Sequence, residues 1–173
     1  MERKSYFLQT IILISIFMPA YAHISTDISE ILNFDYMRAK IVVGANTPAP
    51  AMDGLSASLI AGKIGTMAFK EERSGFKVVL SHLTYLDTEV TNDTKKWYNL
   101  ILIGGPVANS LSKEVFDKME IKITNDYPGP GNGVVQLIKD PFGYGKDVLV
   151  IAGSDRNGTL EAAKFWVDMW KSV

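Results

Sequence analysis

Asn99-Leu-Ile-Leu-Ile-Gly-Gly-Pro106 is the stretch of sequence that decides the fold. The apolar run from Tyr98 to Ile103 predicts a central strand, because strands of a parallel sheet are buried on both faces and show no polar alternation. Gly104 and Gly105 turn the chain, and we expect Pro106 at the first position of a helix, where its missing N–H costs nothing. Apolar residues at intervals of four predict one buried face of this helix: Val107, Leu111, Val115 and Met119.

Strand-like and helix-like patterns alternate on both sides of this stretch. Further strands are predicted at 40–43, 76–80, 121–124, 134–138 and 148–152. Helices are predicted at 52–64, with Gly65 as the C′ residue, and after an N-cap at Ser154 or Asp155. An exposed polar loop is predicted at 87–97, and turns at 45–50, 127–133 and 140–145. We therefore predict an α/β fold, a three-layer sandwich with a mostly parallel sheet and helices on both faces.

Residues 1–22, MERKSYFLQTIILISIFMPAYA, have the pattern of a cleaved export signal. A positive start at Arg3 and Lys4 precedes thirteen mostly apolar residues and the small-residue motif Ala-Tyr-Ala. Thirteen residues span roughly 20 Å as a helix, whereas a bilayer core of ~30 Å needs about 20 residues. We expect cleavage after Ala22, a single extracytoplasmic domain at 23–173 and no membrane span in the mature chain. The alternative is an uncleaved N-terminal anchor.

Composition excludes several classes of function. The 173 residues carry a net charge of −1 with a pI of about 6.1, so no basic excess points to nucleic acid. Cysteine is absent, which excludes disulfides, thiolate metal sites and cysteine nucleophiles. An N-terminal His23 with His82 would supply a copper-binding histidine brace, but enzymes with that site are β-sandwiches, which the alternating pattern contradicts. We predict no metal site, no cofactor and no nucleic-acid partner.

Two junctions of strand, glycine and helix, at 103–106 and 152–155, are candidate anion sites, because helix N-termini present free N–H groups. Neither matches a dinucleotide or phosphate-loop motif. Pro106 removes one donor, and Asp155 places a carboxylate where a phosphate would sit. We therefore interpret both junctions as tight turns with capped helices. Ser154 is not part of a G-x-S-x-G elbow and no motif pairs it with a histidine, so no catalytic triad is predicted.

Two N-x-[ST] sequons, at Asn92 and Asn157, are candidate N-glycosylation sites in an exported archaeal or eukaryotic protein. Asn92 is the better candidate because it lies in the predicted polar loop, whereas Asn157 lies at a predicted helix start. Phe165, Trp166 and Trp170 recur at helical spacing near the end of the chain. We interpret them as core side chains; the alternative is a sugar-stacking platform.

Four segments carry a family resemblance: KIVVGAN at 40–46, NLILIGGPVANS at 99–110, GNGVVQLI at 131–138 and DVLVIAGSDRNGT at 147–159. In order and content they resemble the α/β domain of archaeal surface-layer (S-layer) proteins, chiefly those of methanogens and Thermococcales. In that family a VVG-type turn opens the domain and a later strand ends in a GGP-x-x-N turn. A final strand ends in AGSD-x-x-GT before a helix.

The resemblance implies a secreted, non-enzymatic module of the cell surface (cell wall, S-layer). It implies action through protein–protein contacts with other envelope or S-layer proteins, or with copies of itself. It also implies structural roles, in two turns, for Gly104, Gly105, Pro106 and Asn109 and for Gly153, Ser154, Asp155, Gly158 and Thr159. Full surface-layer subunits are several times longer, so we expect one module of such an assembly.

Two other functions stay open. A carbohydrate-binding accessory domain of the cell surface would take glycans as partners and would show exposed aromatic rings near the loops after the strands. An extracytoplasmic α/β enzyme would show a cleft with convergent polar groups, for which the sequence supplies no matching catalytic set.

Overall fold

The computed structural model describes residues 23–24, 27–45, 50–73 and 82–170. Its strands are β1 (His23–Ile24), β2 (Ala39–Val43), β3 (Thr84–Leu86), β4 (Asn99–Ile103), β5 (Gly133–Ile138) and β6 (Val148–Gly153). Its α-helices are α1 (Ile28–Leu32), α2 (Pro50–Arg73), α3 (Asn92–Trp97), α4 (Ser110–Glu114) and α5 (Arg156–Met169). Short 3₁₀ turns cover Tyr36–Arg38, Asp87–Glu89 and Phe116–Lys118. The predicted export signal and the predicted strand at 76–80 lie outside the described residues.

The described strands form one six-stranded sheet in the order β1-β5-β6-β4-β2-β3. Strands β2, β3, β4 and β6 are parallel to one another, whereas β5 is antiparallel to β6 and β1 is parallel to β5. Ile101, at the centre of β4, lies opposite Ile41 on one side and Leu149 on the other. The predicted α/β fold with a mostly parallel sheet is confirmed. Because β4 and β6 are parallel neighbours, the turns that follow them lie at the same edge of the sheet.

Alternate side chains of the central strands belong to two hydrophobic cores. In β4, Ile101 and Ile103 belong to the first core, and Leu100 and Leu102 belong to the second. Successive side chains of a strand point to opposite faces, so the two cores lie on the two sides of the sheet. The first core includes side chains of α2 and α5: Ala57, Ile60, Ile64, Ala162, Ala163 and Trp166. The second includes side chains of α4 and the segment after it: Leu111, Val115, Met119 and Ile123.

Two predicted features before β4 are wrong, and one strand was missed. The first long helix does not end at Gly65, because α2 continues to Arg73 and Gly65 lacks the left-handed backbone of a C′ glycine. The predicted exposed loop at 87–97 contains a 3₁₀ turn and α3. Thr91 caps α3, since its Oγ1 accepts the Thr94 N–H at 3.2 Å. Strand β3 was not predicted, because three half-exposed residues are too few to show a period.

The predicted helix after Pro106 is wrong in its start and length. Residues 106–108 form a turn, Asn109 is the N-cap and α4 covers only Ser110–Glu114. Val107 therefore lies outside the helix, and its side chain is 83% exposed instead of buried.

The predicted short strand at 121–124 is not part of the sheet. The side-chain amide of Gln136, in β5, takes the place of a neighbouring strand. Its Nε2 donates to Ile121 O at 2.9 Å, and its Oε1 accepts the Ile121 N–H at 3.1 Å. One buried amide thus satisfies both backbone groups of Ile121, in a segment that stays irregular.

Three glycines allow α5 to lie directly against the hairpin of β5 and β6. Gly133 and Gly153 are opposite each other in this hairpin, and Gly158 lies in the first turn of α5. A Cβ on Gly133 would overlap the carbonyl group of Gly158, and a Cβ on Gly158 would overlap that of Asn132. A Cβ on Gly153 would lie 2.6 Å from the Thr159 nitrogen. These neighbours are backbone atoms that cannot move aside, so the contact requires glycine.

A pair of Gly→Ala substitutions tests this contact. Gly158→Ala should lower the free energy of unfolding by about 2 kcal/mol or more, because the added methyl group forces α5 away from the hairpin. Gly62→Ala is the matched control in α2, where an added Cβ meets no atom within 4 Å. It should raise stability by up to about 1 kcal/mol through the better helix propensity of alanine. Urea unfolding followed by circular dichroism measures both; equal effects would contradict the close contact.

Candidate functional site

Two turns at one edge of the sheet enclose a crevice with a volume of about 160 Å³. The first turn, at 104–109, follows β4, and the second, at 153–155, follows β6. Ligands of open α/β sheets bind outside the carboxyl ends of the strands, so this edge is the candidate functional site. The start of α2 and the irregular segment at 123–125 complete the walls of the crevice.

The first turn is fixed by the side-chain amide of Asn109, which is fully buried. Its Nδ2 donates to Val42 O at 3.0 Å and to Ile103 O at 3.1 Å, at the ends of β2 and β4. Its Oδ1 accepts the backbone N–H groups of Leu111 and Ser112, at 3.0 and 3.3 Å, and so caps α4. The amide uses both donors and both lone pairs of its oxygen, so none of its hydrogen-bonding capacity is left for a ligand.

The backbone of the first turn contains one residue in the left-handed region, Gly104, with φ of +92°. This conformation favours glycine, because a Cβ would be strained there. The buried hydroxyl of Ser112 donates to Gly104 O at 2.7 Å and satisfies the carbonyl exposed by the turn. The turn is therefore held at both ends by side chains of α4 and its cap.

Asp87 joins the first turn to the loop that follows β2. Its Oδ1 accepts the N–H of Ala45 and its Oδ2 accepts the N–H of Ser110, both at 2.8 Å. Burial by itself would raise the pKa of Asp87, but these hydrogen bonds outweigh it and hold the pKa below its usual value. Because the folded pKa is lowered, ionised Asp87 stabilises the fold near neutral pH, and this contribution is lost as the pH falls through the folded pKa.

The second turn is fixed in the same way by Asp155, the N-cap of α5. Its Oδ1 accepts the Gly158 N–H at 2.7 Å, and its Oδ2 accepts the Gly131 N–H at 2.9 Å. Thr159 Oγ1 accepts the Gly153 N–H and donates to Asp155 O. The Ser154 hydroxyl donates to a backbone carbonyl, that of Gly129. The carboxylate occupies the N-terminus of α5, the position where a bound anion would have to lie.

Asp53, in the first turn of α2, is the acidic side chain that sequence reasoning missed. It is 3% exposed and lines the crevice, and its Oδ2 lies 3.4 Å from where a Cβ of Gly104 would be. Burial raises the pKa of Asp53, and the positive charge of Arg156 partly opposes this. Because the folded pKa is raised, the stabilising contribution of Asp53 exists at low pH and is lost as the pH rises through that pKa. Asp53 therefore costs the fold stability when it is ionised.

The candidate residues of a hydrolytic triad are far apart. His82 precedes β3 and Ser154 follows β6, so they lie at opposite edges of a sheet in which these strands are parallel. Within the described ranges, no group of three or more histidine, aspartate or glutamate side chains is placed to hold a metal ion. In the same part of the chain, no helix has the length and apolar character that crossing a membrane requires.

The two sequons and the aromatic residues lie away from the crevice floor. Asn92 and Asn157 are both exposed, each in the first turn of a helix, α3 and α5 respectively.

Trp166 is 1% exposed and belongs to the first core, and Trp170 packs edge-on against it with ring centroids 6.0 Å apart. Among the described residues the most exposed aromatic ring is that of Trp97, at 70% exposure, which precedes β4 at the opposite edge of the sheet.

Comparisons with known proteins identify a family for the half of the chain that carries both turns. The family described as S-layer-like, outer domain, matches residues 77–170. An S-layer protein of Methanothermococcus thermolithotrophicus is 44% identical over 84 residues, which cover 49% of this chain and 14% of that protein. An S-layer protein of Methanocaldococcus jannaschii is 47% identical over 78 residues, covering 45% and 13%. One of Methanococcus voltae is 44% identical over 87 residues, covering 50% and 14%. The chain spans about a seventh of the length of these relatives.

Substitution of Asn109 tests whether its amide holds the first turn. Asn109→Asp keeps the oxygen that caps α4 but places a second oxygen against the carbonyl groups of Val42 and Ile103. It should therefore cost about 3 kcal/mol or more, as much as Asn109→Ala, which removes a hydrogen bond from each of four buried backbone groups. Asn92→Asp, at an exposed position, should change stability by less than about 0.5 kcal/mol. A near-neutral Asn109→Asp in urea unfolding would mean that the capping oxygen alone matters.

Proposed function

Since the chain belongs to the S-layer-like family, we propose that it is a non-enzymatic module that acts by binding other envelope proteins or further copies of itself. Membership of this family places the chain at the cell surface. The chain spans only about a seventh of the matched S-layer proteins, so the assemblies that those proteins form are not attributed to it.

The observation that carries the proposal is the shape of the first turn. A ridge separates two hollows, the crevice of about 160 Å³ and a more open hollow of about 700 Å³. It consists of Pro106, Val107 and Ala108, which line both. Val107 at the crest is 83% exposed, although the turn that carries it is held by the Ser112 hydroxyl and by the Asn109 amide. A fixed apolar ridge flanked by hollows is a surface that a partner of complementary shape can cover, and covering it removes apolar area from water.

The use of polar side chains supports a binding role over a catalytic one. Asn109, Asp155, Ser154 and Thr159 all direct their hydrogen bonds to backbone groups of the two turns. A nucleophile needs a base within hydrogen-bonding distance, and these side chains are arranged around main-chain atoms instead. We infer that they shape the surface on which contacts are made.

Export and domain organisation complete the proposal. The leader pattern at 1–22 supports export with removal after Ala22, and the single sheet supports one domain over 23–173. Exposed Asn92 is the better candidate for a glycan, because at Asn157 the preceding turn and helix start are packed against the β5–β6 hairpin. The mass of the purified secreted chain measures both the removal of residues 1–22 and the addition of a glycan.

Glycan binding is a second candidate function, and the exposed ring of Trp97 favours it. Trp97 and Tyr144, at 70% and 41% exposure, lie at the amino edge of the sheet, and Lys96 Nζ lies 5.7 Å from the Tyr144 ring centroid. Exposed aromatic rings with polar neighbours can stack on sugars.

A glycan array decides this second function. Binding that Trp97→Ala reduces at least tenfold would support it, with Val107→Ala at the opposite edge as the control. If no glycan on the array is bound, or if both variants bind equally well, this ring does not recognise glycans.

The ridge predicts a specific defect in association. Val107→Glu places a charge at the crest and should weaken binding of the purified chain to isolated envelopes, or its self-association, at least tenfold. Tyr144→Glu is the matched control, because it adds the same charge at the opposite edge of the sheet. Co-sedimentation with envelopes and light scattering measure the two effects. If wild-type protein stays monomeric and does not bind envelopes, the contact function itself is wrong.

A further inference from the structure

We propose that the crevice between the two turns binds a primary alkylammonium group, presented as the side chain of a lysine on a neighbouring envelope protein. The inference rests on the proposed contact function and names the chemistry by which this edge of the sheet recognises its partner.

The buried carboxylate of Asp53 is the first observation. At 3% exposure it lines the crevice, and among the described residues it has neither a hydrogen bond nor an ion pair within 4 Å. The other buried carboxylate at this edge, Asp87, accepts hydrogen bonds with both oxygens, as does the capping carboxylate of Asp155. An ionised carboxylate that is buried without a partner lowers the stability of the fold. A cation that pairs with it removes this penalty, and the gain contributes to binding affinity.

The crevice has the size and lining of an alkyl chain. Its volume is about 160 Å³, and an apolar cavity of about 150 Å³ holds a benzene molecule. The walls include Pro106, Val107, Ala108 and the side chain of Ile123, which pack against methylene groups better than against water. Four methylenes that end in an ammonium group match an apolar wall with a carboxylate at its base.

Arg156 is the charge that competes with such a ligand. It lines the same crevice, is exposed, and stabilises ionised Asp53 from a distance without forming an ion pair within 4 Å. Among the described residues, no cation therefore occupies the direct contact position beside the carboxylate. Removal of the Arg156 charge should favour entry of a ligand ammonium, since the two positive charges repel each other.

The exposed ridge explains why the ammonium comes from a protein. Val107 forms part of the crevice wall and is also the crest that the proposed contact covers. A lysine on the partner surface would enter the crevice while the surrounding surface covers the ridge, and burial of the pair would exclude water from it.

Binding of n-butylammonium, followed through amide chemical shifts of Gly104, Gly105 and Ile123, tests the pocket. We expect saturable binding to wild-type protein, at least tenfold weaker binding to Asp53→Asn and at least twofold tighter binding to Arg156→Gln. The neutral isostere n-butanol should bind at least tenfold more weakly than the ammonium. Asp53→Asn should retain a urea midpoint equal to or above that of the wild type. No saturable binding, or equal binding by Asp53→Asn, would overturn the proposal.

Envelope binding then separates a lysine from a free amine. Acetylation of envelope lysines removes their charge and should weaken binding of the wild-type chain at least fivefold, whereas reductive methylation, which keeps the charge, should not. Asp53→Asn should be insensitive to acetylation. If wild-type chain binds envelopes but ignores acetylation, the contact function stands and the lysine assignment is wrong. If envelopes are not bound at all while n-butylammonium is, the ligand is a free amine.

Discussion

The hydrogen bonds of the buried Asn109 amide are the constraint on which the carboxyl edge of the sheet depends. Parallel strands end side by side, and their last carbonyl groups and the first N–H groups of the next helix lose their regular partners there. Asn109 satisfies Val42 O and Ile103 O with one end of its amide and starts α4 with the other. A single side chain thus fixes the spacing of β2 and β4 and the direction in which the chain leaves the sheet.

Two carboxylates at this edge also hold separate backbone segments together, as the Asn109 amide does. Asp87 joins Ala45 to the start of α4, and Asp155 joins Gly131 to the start of α5, so each acid holds two segments that are distant in sequence. Against this pattern Asp53 is the exception, since its burial raises its pKa where hydrogen bonds lower that of Asp87. Groups that cost a fold stability are concentrated at places where a protein binds something.

Strands were predictable where their burial is complete. The apolar runs of β2, β4, β5 and β6 identified them within a residue or two, and glycine identified the turns. The direction of β5 was not predictable, because hydrophobic periodicity is the same for parallel and antiparallel strands. The start of α4 was mispredicted since Asn109 finds its partner in Val42, 67 residues away, and local spacing carries no sign of that bond.

The crevice, too, could be predicted only in part from the sequence. Both turns were singled out from their glycines and capping residues, but Asp53 lies on a helix whose local sequence gives no reason to choose it. Its importance arises when α2, β4 and α5 converge, which buries its carboxylate without a hydrogen bond or ion pair to any of the described residues. The sequence does show one acid in the first turn of a helix whose residues 50–62 are otherwise small or apolar, but this pattern is too common to be specific.

The order of strands in the sheet also sets the order in which the molecule can be completed. β4, at the centre, lies between β2, which is synthesised early, and β6, whose residues precede only the last helix. One side of β4 therefore has no partner strand until the residues of β6 have been synthesised.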